Sequence, residues 1–343
     1  MKILAAAAPL VGLVLTALTA NAQPISSGPT LAKVRERGVL NCGVPPSVPG
    51  FGSQQSDKTW QGFEVDLCRA IAAAVLGNAQ QVSFVPLSSQ ARFIALQEGQ
   101  VDVLTRAVTW THSRDTQLGF NFGPITFYDG QGFLVSRALA IQNAQELNGH
   151  SICTFSGSTS EANLVDWARG HSINYTPILV DQADAMRRAY EEGRCSAMST
   201  DASQLIGLLT LLRTPATHQV LPERISKEPL APVVRQGDEQ WTDIIRWTIF
   251  ALIEAEELGV TSANVEAMLT SDNPSIRRLL GVIGEHGPMM GLEPSWAFNA
   301  LKQVGNYGEV FNRNLGAGSS IGLSRGVNDL WLRGGLMYAP PIR

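Results

Sequence analysis

Twice along this chain a short apolar strand gives way to a helix and a further strand, and this rhythm constrains the fold most. The first run opens on Val39–Val44, crosses a Pro/Gly/Ser-rich loop (45–56), and enters an Ala-rich helix from Gly62 to Leu76, closed by Gly77-Asn78. Gln81–Pro86 reads as a strand, Arg92–Gln97 as a helix, and Val101–Leu104 as a short buried strand. The second run starts at Ser151–Thr154 and continues through a helix from Glu161, a strand Ile178–Val180, a helix Asp184–Glu192, a strand Ser196–Met198 and a helix Asp201–Leu212. Strands alternating with helices at this spacing make parallel βαβ units. After Pro229–Arg235, which reads as extended, the chain holds helical patterns near 241–258, 262–269, 274–280, 294–304 and 306–315. These contain too few strands for a third α/β domain. The chain is therefore expected to return and finish its first half.

That return predicts an α/β fold of two lobes joined by two short connecting strands, the arrangement of a hinge around a cleft. The crossings are expected near Phe133–Val135 and Lys227–Val234. The expected division is residues 23–134 and 231–343 in the first lobe, the latter with a C-terminal helical extension, and 135–230 in the second.

Residues 1–22 read as a removable leader. Lys2 precedes an apolar run from Ile3 to Leu18, and Ala20-Asn21-Ala22 closes it with a small-residue cleavage pattern. The run is shorter than the roughly 20 apolar residues of a spanning helix. Export to an oxidising compartment gives meaning to the four cysteines, Cys42, Cys68, Cys153 and Cys195. Three pairings are possible. Cys42–Cys68 with Cys153–Cys195 is preferred, because each pair then closes within one lobe. With no C-x-x-C spacing and scattered histidines, a metal site has little support. The net charge of −4 becomes −5 without Lys2, and no basic stretch marks a nucleic-acid binder.

Three stretches carry binding chemistry. Just past the strand ending at Leu104 come Arg106, Thr109 and Arg114, where open α/β sheets place their ligands. A guanidinium offers a carboxylate two parallel hydrogen bonds. The competing reading pairs these arginines with Glu98, Asp102 or Asp115 on the surface. Ser156–Glu161 forms a Gly-containing turn into a helix, where Ser158 and Thr159 either meet an anion or cap the helix. Asp201 follows a strand directly and either binds an ammonium group or caps the next helix. Together, cationic groups on one lobe and an acid on the other suit a zwitterion. Most aromatic residues among Phe51, Trp60, Phe120, Phe122, Phe127 and Tyr128 are expected in the core, with the Phe51 region a candidate cover for a ligand.

At these residues the sequence resembles the polar-amino-acid periplasmic solute-binding proteins, within them the general L-amino-acid-binding subunits of ABC importers. The strings that carry the resemblance are GFEVDLCRAIAAAV (62–75), ARFIALQEGQVDVLTRAVTWTHSRD (91–115), TFYDGQGFLV (126–135), SGSTSE (156–161), ISKEPLAPVVRQGDEQW (225–241) and KQVGNYGEVFNRN (302–314). The resemblance implies a periplasmic-binding-protein-like fold, a free L-amino acid as ligand, membrane permease subunits as partner, and a monomer without cofactor or catalysis. It implies that Arg114, assisted by Thr109 and Thr159, holds the α-carboxylate, that Asp201 holds the α-ammonium, and that Arg92 lines the first-lobe wall. Arg106 then suits a polar or acidic side chain. Pro45 and Val48 stand where many relatives carry an acid and an aromatic lid, which argues against a basic ligand. The rival readings are an amino-acid sensor and a dehydratase-like enzyme on the same scaffold, the latter needing Glu64, Asp66 or His112 as acid or base.

Overall fold

The computed structural model describes residues 28–343; the leader read at 1–22, with its end after Ala22, lies outside the described residues. The first lobe opens with α1 (Pro29–Arg37) and β1 (Leu40–Val44), then a three-stranded ribbon of β2 (Ser47–Val48), β3 (Gly52–Gln54) and β4 (Trp60–Gln61). There follow α2 (Phe63–Leu76), β5 (Val82–Pro86), α3 (Ala91–Gln97), β6 (Val103–Leu104), α4 (His112–Thr116) and β7 (Phe120–Phe122). The chain leaves through β8 (Phe127–Asp129). The second lobe comprises β9 (Gln131–Ser136), β10 (Ser151–Phe155), α5 (Thr159–Gly170), β11 (Thr176–Val180), α6 (Ala183–Glu191), β12 (Ala197–Asp201), α7 (Ala202–Thr210) and β13 (His218–Val220). The return is made by β14 (Glu228–Leu230), and β15 (Val233–Arg235) then rejoins the first sheet. Helices α8 (Glu239–Glu257), α9 (Pro274–Leu279), α10 (Trp296–Val304) and α11 (Tyr307–Asn314) complete the first lobe.

The two sheets are built alike. In the first, β1 runs parallel to β5 and β6, and β15 lies antiparallel between β6 and β7. In the second, β10 runs parallel to β11 and β12, and β9 lies antiparallel between β12 and β13. The antiparallel strand in each sheet is the one that arrives across the hinge. Central strands such as β1 and β12 are buried along almost their whole length, so their burial does not alternate between faces. Helix α2 buries the small residues Ala70, Ala72, Ala73 and Ala74, so that α10 packs closely against it. Its end is set by Gly77 at φ 77°, a left-handed C-cap that glycine adopts without steric cost. Cysteines 42 and 68 are bonded to each other, as are 153 and 195, one disulfide in each lobe.

The first crossing differs from its expected place. From Gln131 onward β9 already pairs with β12 in the second sheet, ahead of the expected boundary at 134/135. Only Gly130 separates β8 from β9. The expectation followed the apolar run Phe133–Val135, whereas pairing changes sheets earlier, at the polar and glycine residues Asp129–Gly132 that precede it. Among the later helical patterns, 262–269 forms turns and a short 3-10 segment at Ala267–Thr270 instead of an α-helix.

The hinge is braced by the C-terminal extension. Strands β8 and β14 pair antiparallel, and on β8 Asn328 acts as a further pairing partner. Its Oδ1 accepts the Tyr128 N–H at 2.6 Å and its Nδ2 donates to the Tyr128 carbonyl at 3.0 Å. The Tyr307 hydroxyl donates to the carbonyl of Thr126 at 2.8 Å. Asn328→Ala leaves two backbone groups of the hinge without these partners and is expected to destabilise the fold by about 1–3 kcal/mol, measured by urea unfolding. An unchanged unfolding midpoint would refute that role.

Candidate ligand-binding cleft

The lobes are closed on each other. Gln90 Nε2 in the first lobe donates to Ser156 Oγ in the second at 2.8 Å, and the hydroxyls of Thr109 and Thr159 lie 3.2 Å apart. Where α7 meets the ribbon, Gly207 faces Pro49 so closely that an added Cβ would stand 2.9 Å from the Pro49 carbonyl oxygen. Gly157, at φ +67°, likewise faces Gln90. The turn into α5 is thus glycine for both its left-handed backbone and its neighbour.

From the first lobe, Arg92, Arg106, Thr109 and Arg114 are all buried. Arg92 rides on α3 and Arg114 on α4, and both guanidiniums sit over the Phe93 ring, at 4.8 and 5.1 Å from its centroid. Arg114 donates to the carbonyl of Thr109 at 2.8 Å, and Arg106 to that of Leu87 at 2.8 Å. Arg92 Nε has no hydrogen-bond partner among the described residues. The surface pairing considered for these arginines is absent among the described residues: Asp102 instead takes Arg37. Burial lowers Arg106 and Arg114 to about 10, against the pull of Asp201, and Arg92 falls well below the ordinary range through burial and the two neighbouring guanidiniums.

The loop carrying Arg106 is anchored from beneath. Ala107 adopts φ 44°, a backbone conformation costly for a residue with a side chain. Its N–H donates at 3.0 Å to Glu64, a buried acid that also attracts Arg106 and is pushed up to about 7 by its burial.

From the second lobe, Asp201 is buried at the start of α7, yet its side chain makes no capping hydrogen bond. Its carboxylate instead accepts Gln204 Nε2 at 2.6 Å. Burial, with Asp129 and Glu228 nearby, raises it well above the usual carboxylate range. A cation arriving here would relieve that cost. Thr159 lies at the first turn of α5 and meets Thr109. Ser158 is placed differently: its hydroxyl donates to the Phe155 carbonyl at 2.6 Å and accepts the Glu161 N–H, so it serves as the helix cap. Phe51, the candidate cover, is wholly buried against Phe63 and Phe127 and belongs to the core.

A cleft with guanidiniums on one side and an acid on the other, between two lobes of like topology, meets its counterpart among known proteins. The family model described as "Bacterial extracellular solute-binding proteins, family 3" matches residues 40–263. The chain belongs to this family. It is 47% identical to the general L-amino acid-binding periplasmic protein AapJ of Rhizobium johnstonii, over 100% of this chain and 99% of that protein. It is 48% identical to the glutamate/glutamine/aspartate/asparagine-binding protein BztA of Rhodobacter capsulatus, over 96% and 97% of the two. Among solved structures, a periplasmic binding protein of an ABC transporter from Brucella ovis with glutathione bound superposes with a TM-score of 0.90 at 47% identity. That match covers 92% of this chain and 99% of the other.

The residues proposed for the enzymatic rival are engaged elsewhere in this solute-binding protein. Asp66 accepts Arg69, Arg313 and Asn314, Glu64 anchors the Arg106 loop, and His112 is exposed. Two acids near the cleft were not singled out from sequence. Asp129 ends β8, accepts Ser203 from the second lobe and is raised to about 6 by burial. Glu228 opens β14 and is 1% exposed. Glu228 carried a sequence signal in its place within the expected crossing 227–234; Asp129 had none, because the first crossing was expected at 133–135.

Proposed function

We propose that this protein is the periplasmic substrate-binding component of an ABC importer for L-amino acids, exported by a leader cleaved after Ala22. The observation that carries the reading is the convergence of three buried guanidiniums with Asp201 across one closed cleft. Arg114 and Asp201 take the α-carboxylate and α-ammonium of one ligand. Closure removes water, and the attraction between these charges grows as the local dielectric falls. A ligand that bridges both lobes binds the closed form better than the open one and shifts the population toward it. The permease subunits then recognise the closed form.

Three guanidiniums exceed what a single α-carboxylate needs. Arg92 and Arg106 are left for a second polar or anionic group, so acidic and amide side chains are preferred over basic ones. The relatives that bind general L-amino acids or glutamate, glutamine, aspartate and asparagine support this reading. The test is mass spectrometry of ligand released from the purified protein by denaturation, followed by calorimetry with L-glutamate, L-glutamine, L-aspartate and L-asparagine. Arg106→Ala is expected to reorder that panel, costing the acidic members about 10- to 100-fold more than the amides, the value of a charged hydrogen bond. No bound amino acid, and no heat with any of the four, would overturn the proposal.

A further inference from the structure

The cleft holds a carboxylate that none of the binding roles above employs. Glu228 Oε2 accepts the hydroxyl of Thr109 and, at 2.9 Å, that of Thr159. Its Oε1 accepts Asn163 Nδ2 at 2.6 Å and Ser226 Oγ at 2.7 Å. Thr109 belongs to the first lobe, Thr159 and Asn163 to α5 of the second, and Ser226 to the connecting segment itself. A carboxylate on a hinge strand is thus fully supplied with donors, drawn from both sides of the cleft.

We propose that Glu228 is a positioning residue that latches the closed lobes; this rests on the solute-binding reading. Opening the cleft carries α5 away from Thr109, and one carboxylate then loses donors on one side or the other. The complete set therefore belongs to the closed form. Bonds to an ionised acceptor are about twice as strong as neutral ones. They form after the ligand has entered, so their energy falls on dissociation and not on encounter. A second consequence concerns the ligand. Each threonine hydroxyl has one proton, and both protons are directed at Glu228. Toward the ligand these oxygens offer lone pairs, so Thr109 and Thr159 suit its ammonium group and not the carboxylate role that the resemblance implied for them; the carboxylate is left to the guanidiniums.

The experiment is stopped-flow binding of the four-member panel to the mature chain and to three variants. Glu228→Gln is expected to raise the dissociation rate about tenfold with association unchanged and the ranking of amino acids kept, the loss of roughly 1.4 kcal/mol. Asn163→Ala, which removes one donor from the second lobe, gives a smaller rise in the same rate. Ser226→Ala removes a donor on the same connecting segment as the acid, together with the acceptor of the Gln131 N–H at the start of β9, a contact made outside the cleft's two facing sides, and is expected to leave dissociation unchanged. Should Glu228→Gln fail to fold, the contrast between Asn163→Ala and Ser226→Ala decides. Equal effects in those two, a matching fall in association, or an unaltered dissociation rate would overturn the latch. Wild-type protein that binds none of the panel overturns the parent proposal instead.

Discussion

Arg114→Ala is expected to weaken binding of every amino acid on the panel by about 30- to 4,000-fold, measured by calorimetry. The range follows from the 2–5 kcal/mol lost when one partner of a buried, hydrogen-bonded charge pair is truncated. The side chain is almost wholly buried, stacked over Phe93, and held in register by its bond to the Thr109 carbonyl. It therefore meets a ligand already oriented, with little side-chain entropy left to lose. The loss is uniform because every amino acid presents the same α-carboxylate. This separates Arg114 from Arg106, whose removal reorders the panel. Arg114→Lys keeps the charge but not the planar fork, and is expected to recover only part of the affinity. Unchanged affinity in the alanine variant would remove Arg114 from the site.

Opening either disulfide by paired Cys→Ser substitution is expected to destabilise its lobe by about 3–4 kcal/mol, read from denaturant unfolding. The chain-entropy relation assigns about 3.5 kcal/mol to the link between Cys42 and Cys68 and about 4 kcal/mol to that between Cys153 and Cys195. The sequence separations are 26 and 42 residues. The links join β1 to α2 in the first lobe, and β10 to the segment before β12 in the second. Removing the second should loosen the frame that carries Thr159 and Asp201, so affinity falls with stability. Equal unfolding midpoints for the variants and the wild type would contradict this account.

The two predictions draw on features of different legibility. The cysteine pairing followed from the lobes, and the lobes from strands and helices alternating along the chain. Both are local patterns, since side-chain periodicity and chain length report directly on burial. Arg114, Thr109, Thr159 and Asp201 were legible as chemistry because each follows a strand end, where the fold places ligands. Their partners were not. Spacing alone left Asp201 between a helix cap and a binding group; only the structure shows that its side chain makes no capping bond to the α7 backbone and accepts the Gln204 side chain instead. Phe51 was equally open. Its burial among Phe63 and Phe127 depends on how the ribbon folds back over α2 and on α11 arriving from the far end of the chain.

By itself the sequence determined the alternation of strands and helices that makes α/β lobes, a preference for one disulfide in each, and charged groups of opposite sign at the strand ends. Those properties are set by neighbours within a few tens of residues. Only the tertiary structure decided that the sheet changes at Gln131, that Asn328 braces the hinge from 200 positions away, and that Glu228 gathers hydroxyls from both lobes. Such contacts depend on how two closed lobes are set against each other, and no periodicity along the chain records a distance between residues so far apart in it.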